Sequence, residues 1–221
     1  MAKLLSSFEA LDGLEGVYAA TRENLRCTAI RLRSGGLCLF SPVRGLGDRA
    51  IASLQELGEV EALLAPNHWH NMGLHEYAKA FPAASLCASP GASVRLALIT
   101  QLRFEGLSGL QRLLPRNMQI IVPAGLKTGE VWLSITDAQW HAWVVVDAFC
   151  GPWGKARDLC NGPGILGTFP KFGLADRAVY LDWLERQIDS DRPKMMVPCH
   201  GAVLRNFQLP SKIRRLVADK L

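Results

Sequence analysis

The sequence predicts a single α/β domain in which two sheets are covered by helices. Stretches rich in strand-forming residues alternate with helical patterns, in two halves of similar kind. The 221 residues contain no internal repeat and no linker that would divide them. The composition, 49% hydrophobic and 20% charged, is typical of a globular protein that buries its own core. The predicted domain therefore covers residues 1–221.

The first half of the chain predicts a sheet built around a hairpin. Gly35-Gly36 lies between two β-prone runs, which is a hairpin signal. The apolar run at residues 60–65 is typical of a buried strand, and it leads directly into a group of histidines. The predicted strands are residues 16–20, 27–32, 37–40, 60–65 and 85–88, and the predicted helices are residues 48–57, 73–80 and 90–102.

The second half predicts further strands and two helices, separated by a segment rich in Gly and Pro. This segment, residues 150–173, is predicted to be an irregular surface loop next to Asp147. The predicted strands are residues 119–122, 130–136, 142–146 and 193–197, and the predicted helices are residues 175–188 and 210–220.

Charge, hydropathy and cysteine usage exclude several classes of protein. The net charge is +5, but the basic residues are scattered rather than concentrated with aromatic residues, so no nucleic-acid partner is expected. No apolar run reaches the roughly 18 residues that span a bilayer, and the first residues do not resemble a signal peptide. The six cysteines form no C-x-x-C pair and are expected to be free thiols in a reducing compartment. We therefore expect a cytoplasmic protein without a membrane partner.

Polar residues follow three apolar runs that are far apart in the chain. The first run leads into the segment Pro66-Asn67-His68-Trp69-His70, with His75 close behind. The second ends at Asp147, and the third ends at His200-Gly201. Because a strand delivers such side chains to the rim of a sheet, where clefts form, the sequence predicts one shared site of imidazoles and a carboxylate. His141 stands at the other end of its strand from Asp147 and is expected to lie away from this site.

This order of elements resembles the metallo-β-lactamase superfamily. A strand leads into a histidine motif followed by Gly and a helix, a later strand leads into Asp147, and a final strand leads into His200. The resemblance extends from the Gly35-Gly36 hairpin to His200 and is closest to a divergent branch with a Pro-Asn-x-x-His form of the first motif. It implies a four-layer αβ/βα sandwich with metals bound between the sheet rims.

The first motif departs from the family's His-x-His-x-Asp-His pattern. If His70 takes the last position, then Ala65, Asn67 and Trp69 replace the first His, the second His and the Asp. Leu126 stands where the family has a further histidine after a middle strand. The resemblance therefore implies that one of the family's two metal sites is lost.

The ligands that remain for the other metal are His70, Asp147 and His200. Two imidazoles and a carboxylate suit one divalent metal, Zn²⁺ or Fe²⁺, with open coordination positions. His68 or His75 is a candidate fourth ligand, and Asn67 is a weak oxygen donor. Asp147 and His70 are the predicted catalytic residues. A site that has lost its metals is the alternative interpretation.

Two functions fit these residues best. The first is a metal-dependent hydrolase with a mononuclear site that acts on an ester, lactone, thioester or amide of a small molecule. The second is a non-catalytic, metal-free relative whose cleft binds a small ligand or a partner protein. A redox or oxygen-handling iron protein is a third option, because a His/Asp/His set resembles a facial triad in composition. The sequence does not predict an oligomeric state.

Overall fold

The structure is a computed structural model that describes residues 3–138, 140–153 and 162–221. The chain divides into two compact units, an N-terminal unit of Met1–Arg116 and a C-terminal unit of Asn117–Leu221. The two units are described separately, and a single domain over residues 1–221 stays a prediction. Across the described ranges, no helix is both long enough and apolar enough to cross a membrane.

The N-terminal unit has one six-stranded sheet within the part of the chain that the structure describes, in the order β1-β2-β3-β4-β5-β6. The first four strands pair antiparallel, and the predicted Gly35-Gly36 hairpin joins two of them. The last two strands are added in parallel, so their C-terminal ends lie at the same edge as that of the fourth strand. The strands are β1 Glu9–Ala10, β2 Val17–Arg22, β3 Leu25–Arg31, β4 Leu37–Phe40, β5 Val60–Ala65 and β6 Ser85–Ala88.

The helices of the N-terminal unit connect the parallel strands. Ala50 and Leu54 lie four residues apart on one face of helix α1, and both pack into a core cluster that also contains Leu39 and Leu63. Helix α3 buries Ala92 and Leu96 against a second, smaller cluster. The helices are α1 Asp48–Leu57, α2 Leu74–Ala80, α3 Pro90–Thr100 and α4 Leu107–Leu113.

The C-terminal unit has one five-stranded sheet among its described residues, in the order β11-β10-β9-β8-β7. Strands β9 and β10 pair in parallel, whereas the other neighbours pair antiparallel. The strands are β7 Met118–Ile121, β8 Trp132–Thr136, β9 His141–Val145, β10 Met195–Pro198 and β11 Leu204–Arg205, and the helices are α5 Phe169–Phe172, α6 Arg177–Asp191 and α7 Leu209–Lys220.

Aromatic rings form the centre of the C-terminal core. Trp132 and Trp143 are fully buried on neighbouring strands, with ring centroids 5.4 Å apart. Phe149 and Trp183 pack on Trp132 at 5.7 and 5.3 Å. Such aromatic packing fixes this region of the sheet, because each large ring loses much apolar surface to its neighbours.

Some elements differ from the predictions. Helix α4 was not predicted, because Gly106 and Gly109 obscure its short apolar pattern. Strands β1 and β11 contain only two residues each, too few for a period-2 signal. The predicted irregular loop at residues 150–173 contains α5 and a bridge between Cys150 and Gly164, while its residues 154–161 lie outside the described residues.

Candidate metal centre

The first histidine cluster lies in a turn between β5 and α2 that Asn67 holds together. The Oδ1 atom of Asn67 accepts hydrogen bonds from the backbone N–H groups of Trp69, at 2.8 Å, and His70, at 3.0 Å. Asn67 is fully buried, so these contacts replace its hydration. The oxygen that the sequence suggested as a weak metal donor therefore organises the turn, an Asx turn in which the side chain binds the backbone that follows.

The imidazole of His70 contacts a serine that follows the neighbouring strand. Its Nδ1 atom lies 2.7 Å from Oγ of Ser41. Ser41 comes directly after β4, and its backbone N–H donates to the carbonyl oxygen of Leu64 on β5 at 3.0 Å. Ser41 is buried and has a φ of +59°, a left-handed conformation that only a few per cent of residues other than glycine adopt. The hydroxyl therefore fixes the ring orientation of His70 from one side.

The other histidines of this cluster have different environments. His68 is buried, and its ring packs on Trp69 with centroids 4.9 Å apart. His75 is exposed on α2. His68 and His70 both lie in the turn that follows β5. Their roles as metal ligands stay predictions.

Asp147 and His200 lie beside each other at the ends of two adjacent parallel strands. Val145 on β9 pairs with Pro198 on β10, so each functional residue comes two positions after a matched pair. The Nε2 atom of His200 is 3.0 Å from Oδ1 of Asp147. With Asp147 ionised, this contact requires the tautomer of His200 that carries a proton on Nε2. The side chain of His200 is 17% exposed and that of Asp147 is 13% exposed, which leaves both within reach of a small solute.

Two glycines hold the His200 segment against the chain that follows Asp147. The N–H of Gly151 donates to the carbonyl oxygen of His200 at 2.8 Å. Gly201 has a φ of +87°, and a Cβ atom there would lie 2.3 Å from the carbonyl oxygen of Gly151. The close approach of the two backbones needs glycine at position 201, and it keeps His200 in register with Asp147.

The donor chemistry of this pair fits a divalent metal. An imidazole nitrogen and a carboxylate oxygen that bind one tetrahedral zinc at about 2.0–2.1 Å are about 3.3 Å apart. The 3.0 Å separation of Nε2 and Oδ1 is close to that value, so these two atoms would hold a metal with little movement of either side chain. The Asp147–His200 pair therefore has donor types and a spacing that are compatible with one divalent metal.

Two residues that the resemblance places at ligand positions of the family make other contacts. Trp69 is 45% exposed, and the guanidinium of Arg95 lies 4.9 Å from the centroid of its ring. Leu126 forms a bridge with Leu174 after β7 has ended. Neither side chain offers a strong metal donor, and the loss of one of the family's two metal sites stays a prediction.

His141 belongs to a separate polar network at the start of β9. Its Nε2 atom lies 2.7 Å from Oγ of Ser134 and 3.4 Å from Oδ2 of Asp191. Burial alone raises the pKa of Asp191, but hydrogen bonds from His141, Gln187, Trp143 and Ser134 outweigh it and hold the pKa well below its usual value. Asp147 follows the opposite end of this strand, about 20 Å away at 3.3 Å per residue.

Solved metallo-β-lactamases match this chain over almost its whole length. The FIM-1 enzyme from Pseudomonas aeruginosa, in its mono-zinc form, has a TM-score of 0.65 and 11% identity, with 99% of this chain and 97% of that chain covered. The enzyme from Hirschia baltica has a TM-score of 0.66 and 12% identity, covering 97% and 98%. The enzyme from Erythrobacter litoralis, with β-mercaptoethanol in its active site, has a TM-score of 0.65 and 14% identity, covering 96% of each chain.

The chain therefore has the metallo-β-lactamase fold, an α/β sandwich, and the predicted fold class is confirmed. No family model matches the sequence. No curated protein matches it either. At 11–14% identity the similarity defines the fold and not the reaction.

Proposed function

We propose that this protein is a metal-dependent hydrolase that binds one divalent metal through His70, Asp147 and His200. The observation that carries the proposal is the Asp147–His200 pair, whose donor atoms are separated by 3.0 Å at the tips of two parallel strands. Each of the three residues offers one ligand atom of a type that zinc prefers. FIM-1 from Pseudomonas aeruginosa, which has the same fold, was solved in a mono-zinc form, and this supports the interpretation that the three residues bind one metal.

His70 is proposed as the ligand from the N-terminal unit. Its Nδ1 atom contacts Ser41, and we assign the opposite ring nitrogen, Nε2, to the metal. A hydrogen bond on the second nitrogen is the usual support of a metal-binding histidine, because it fixes both ring orientation and tautomer. His68 is buried against Trp69, and it remains the candidate fourth ligand that the sequence predicts.

The protein groups prepare the site for hydrolysis in distinct ways. In its contact with an ionised Asp147, Nε2 of His200 carries a proton, which must leave or move to Nδ1 before Nε2 can bind a metal. The carboxylate then contributes negative charge and an oxygen that accepts a hydrogen bond from a nearby water. A bound metal supplies Lewis acidity, which activates water and polarises the carbonyl of an ester, lactone, thioester or amide.

The proposal includes a small-molecule substrate and a cytoplasmic location, as the sequence leads us to expect. It includes no nucleic-acid partner and no membrane partner. Zinc is the preferred metal because the donor set mixes imidazole nitrogen with carboxylate oxygen, although the same set accepts Fe²⁺. The non-catalytic relative is the second candidate. It is favoured by the positions of Asn67, Trp69 and Leu126, which make turn, surface and bridge contacts instead of offering metal donors.

The test combines metal binding with hydrolysis. Untagged protein is purified, treated with chelator, and titrated with Zn²⁺, Fe²⁺ and Mn²⁺ before it is assayed on a panel of aryl esters, lactones, thioesters and amides. The proposal predicts about one equivalent of bound metal and metal-dependent turnover of at least one substrate class, both lost in His200→Ala. A wild-type protein that binds no metal refutes the proposal and favours the non-catalytic relative.

A further inference from the structure

A buried glutamate in the C-terminal unit contacts the chain directly after Asp147. Glu130 precedes β8 and is 0% exposed. Its Oε1 atom accepts a 2.7 Å hydrogen bond from the indole N–H of Trp132 and a 3.1 Å hydrogen bond from the backbone N–H of Ala148. Ala148 is the residue that follows Asp147, so Glu130 contacts the chain one position from the candidate ligand.

The strand register explains why these residues meet. Leu133 on β8 pairs with Val144 on β9, and the two strands run antiparallel. Counted three residues further in each direction, Glu130 comes opposite Asp147, just beyond the ends of both strands. A long side chain at position 130 therefore reaches the turn that follows β9, where the backbone ladder has ended.

A fully buried carboxylate is expensive unless hydrogen bonds replace its hydration. An apolar residue of similar size usually gives equal or better stability at such a position, so stability alone does not account for Glu130. The two N–H groups that it binds, on Trp132 and Ala148, point to a role in holding the turn. The charge of Glu130 also affects Tyr180. Burial is the main cause of the raised pKa of Tyr180, and the charge of Glu130 is the second cause.

We infer that Glu130 is a positioning residue that aims Asp147 at His200. The Ala148 N–H belongs to the peptide plane that joins Asp147 to Ala148, so fixing this group fixes ψ of Asp147 and the direction of its side chain. Trp132 also holds this turn, because its ring packs on that of Phe149, the residue after Ala148, with ring centroids 5.7 Å apart. Glu130 and Trp132 together hold residues 147–149.

This inference rests on the proposed function where it concerns metal affinity, but its geometric part does not. Glu130→Asp keeps the charge and shortens the side chain by one methylene, which removes its reach to Ala148. Glu130→Gln keeps an acceptor oxygen at full length and removes the charge. A positioning role is therefore lost in the first variant and kept in the second, whereas a purely electrostatic role gives the reverse.

Asp191→Ala is the matched control. The Oδ2 atom of Asp191 accepts a 2.7 Å hydrogen bond from the indole N–H of Trp143, as Glu130 does from Trp132, but at the opposite end of β9. Its loss is expected to lower stability without touching Asp147. A fall of zinc affinity in this control equal to that in Glu130→Asp would assign the effect to general loosening of the sheet and overturn the inference.

Zinc affinity is measured by competition with a chromophoric chelator at constant pH. Glu130→Asp is expected to bind zinc about tenfold more weakly or worse, and Glu130→Gln within about threefold of wild type. Wild-type affinity in Glu130→Asp, or a larger loss in Glu130→Gln, overturns the inference and leaves the proposed function standing. If Glu130→Asp does not fold, Trp132→Phe replaces it. This variant removes the indole N–H and retains an aromatic ring, and unchanged affinity in it would overturn the inference.

Crystal structures of the wild type and of Glu130→Asp decide the case in which wild-type protein binds no zinc. That result refutes the proposed function, and the inference is then judged by the distance between Nε2 of His200 and Oδ1 of Asp147. The inference is supported if this distance in Glu130→Asp is longer than in the wild type by about 1 Å or more, so that the hydrogen bond is broken. A pair that keeps its 3.0 Å separation in Glu130→Asp overturns it.

Discussion

His200 Nε2 and Asp147 Oδ1 are 3.0 Å apart, although 53 residues separate them in the chain. The parallel pairing of β9 with β10 brings them together, since both residues follow matched strand ends by two positions. Their contact requires a proton between two atoms of types that also bind metals. Metal binding is therefore expected to compete with this proton, and the strength of the site depends on how firmly the two strand ends are held.

Removal of either member of this pair is expected to abolish tight metal binding. Asp147→Asn and His200→Ala should each weaken zinc binding by more than about 100-fold, because loss of a ligand exceeds the effect of losing its supporting residues. Isothermal titration with zinc measures this loss. His141→Ala is the matched control from the start of β9 and should retain wild-type affinity. Equal affinity of His200→Ala and wild type would contradict the ligand assignment.

Ser41 is expected to tune the site without binding metal. Ser41→Ala removes the hydroxyl that lies 2.7 Å from Nδ1 of His70, and zinc affinity should fall by about 10–100-fold. Both residues have a Cβ atom, so the strain of the left-handed backbone stays the same. Ser53→Ala serves as control, because Ser53 bonds only backbone groups of Phe8 and Ala50 among the contacts described. Equal zinc affinity in the two variants would show that Ser41 does not support His70.

Gly201 should be intolerant of a side chain. In Gly201→Ala, the new Cβ would lie 2.3 Å from the carbonyl oxygen of Gly151, and the positive φ adds further strain. We expect a loss of at least about 3 kcal/mol in the free energy of unfolding, measured with urea. Gly35→Ala is the control, since Gly35 has a φ of +94° but no atom within 4 Å of the added Cβ. Its loss should be about 1 kcal/mol, the backbone cost alone. Similar losses at both positions would mean that the segments after β9 and β10 move apart easily.

Buried thiols should make the protein less stable at alkaline pH. Burial raises the pKa of Cys27 to about 12, although the nearby Tyr77 and the backbone of Val43 partly oppose this rise. Burial, followed by the charges of Cys87 and Cys27, raises the pKa of Cys38 well above its usual value. A thiol with a raised pKa stabilises the fold fully below the unfolded pKa of about 8.5, and this contribution is lost as pH rises towards the folded pKa.

Urea unfolding at a series of pH values measures this loss. Above pH 8.5 the free energy of unfolding should fall by about 1.4 kcal/mol per pH unit for each such thiol. Cys27→Ala should show a shallower slope than wild type, because one of the titrating groups is gone. Parallel slopes for the two proteins would show that Cys27 ionises as readily in the folded protein as in the unfolded chain.

The sequence predicted most of the fold because its strands and helices carry strong periodic patterns. The bounds of β4, β5, β6 and α1 agree with the prediction, and the resemblance to metallo-β-lactamases is confirmed at the level of the fold. The bounds of α6 differ by two or three residues, because helix ends depend on capping by Asp176 and on a left-handed Arg192. Tertiary packing decides such features, and a local pattern does not contain them.

The candidate site was predictable only in part. Asp147 and His200 stand out because a polar residue directly follows an apolar run. Ser41 also follows a strand, and this position was the one available signal for it, but a single serine after an apolar run is too common to indicate a role. Glu130 carries no periodic signal, because its burial arises from the register of β8 on β9. Asn67 was interpreted as a weak oxygen ligand for a metal, whereas its oxygen accepts hydrogen bonds from two backbone N–H groups of the turn.

An anomalous-difference map from a crystal of the untagged protein equilibrated with zinc tests the central claim most directly. The account predicts one strong peak bonded to His70, Asp147 and His200 at about 2.0–2.2 Å. A map without a peak at these three side chains, or a zinc ion held by other residues, would contradict it.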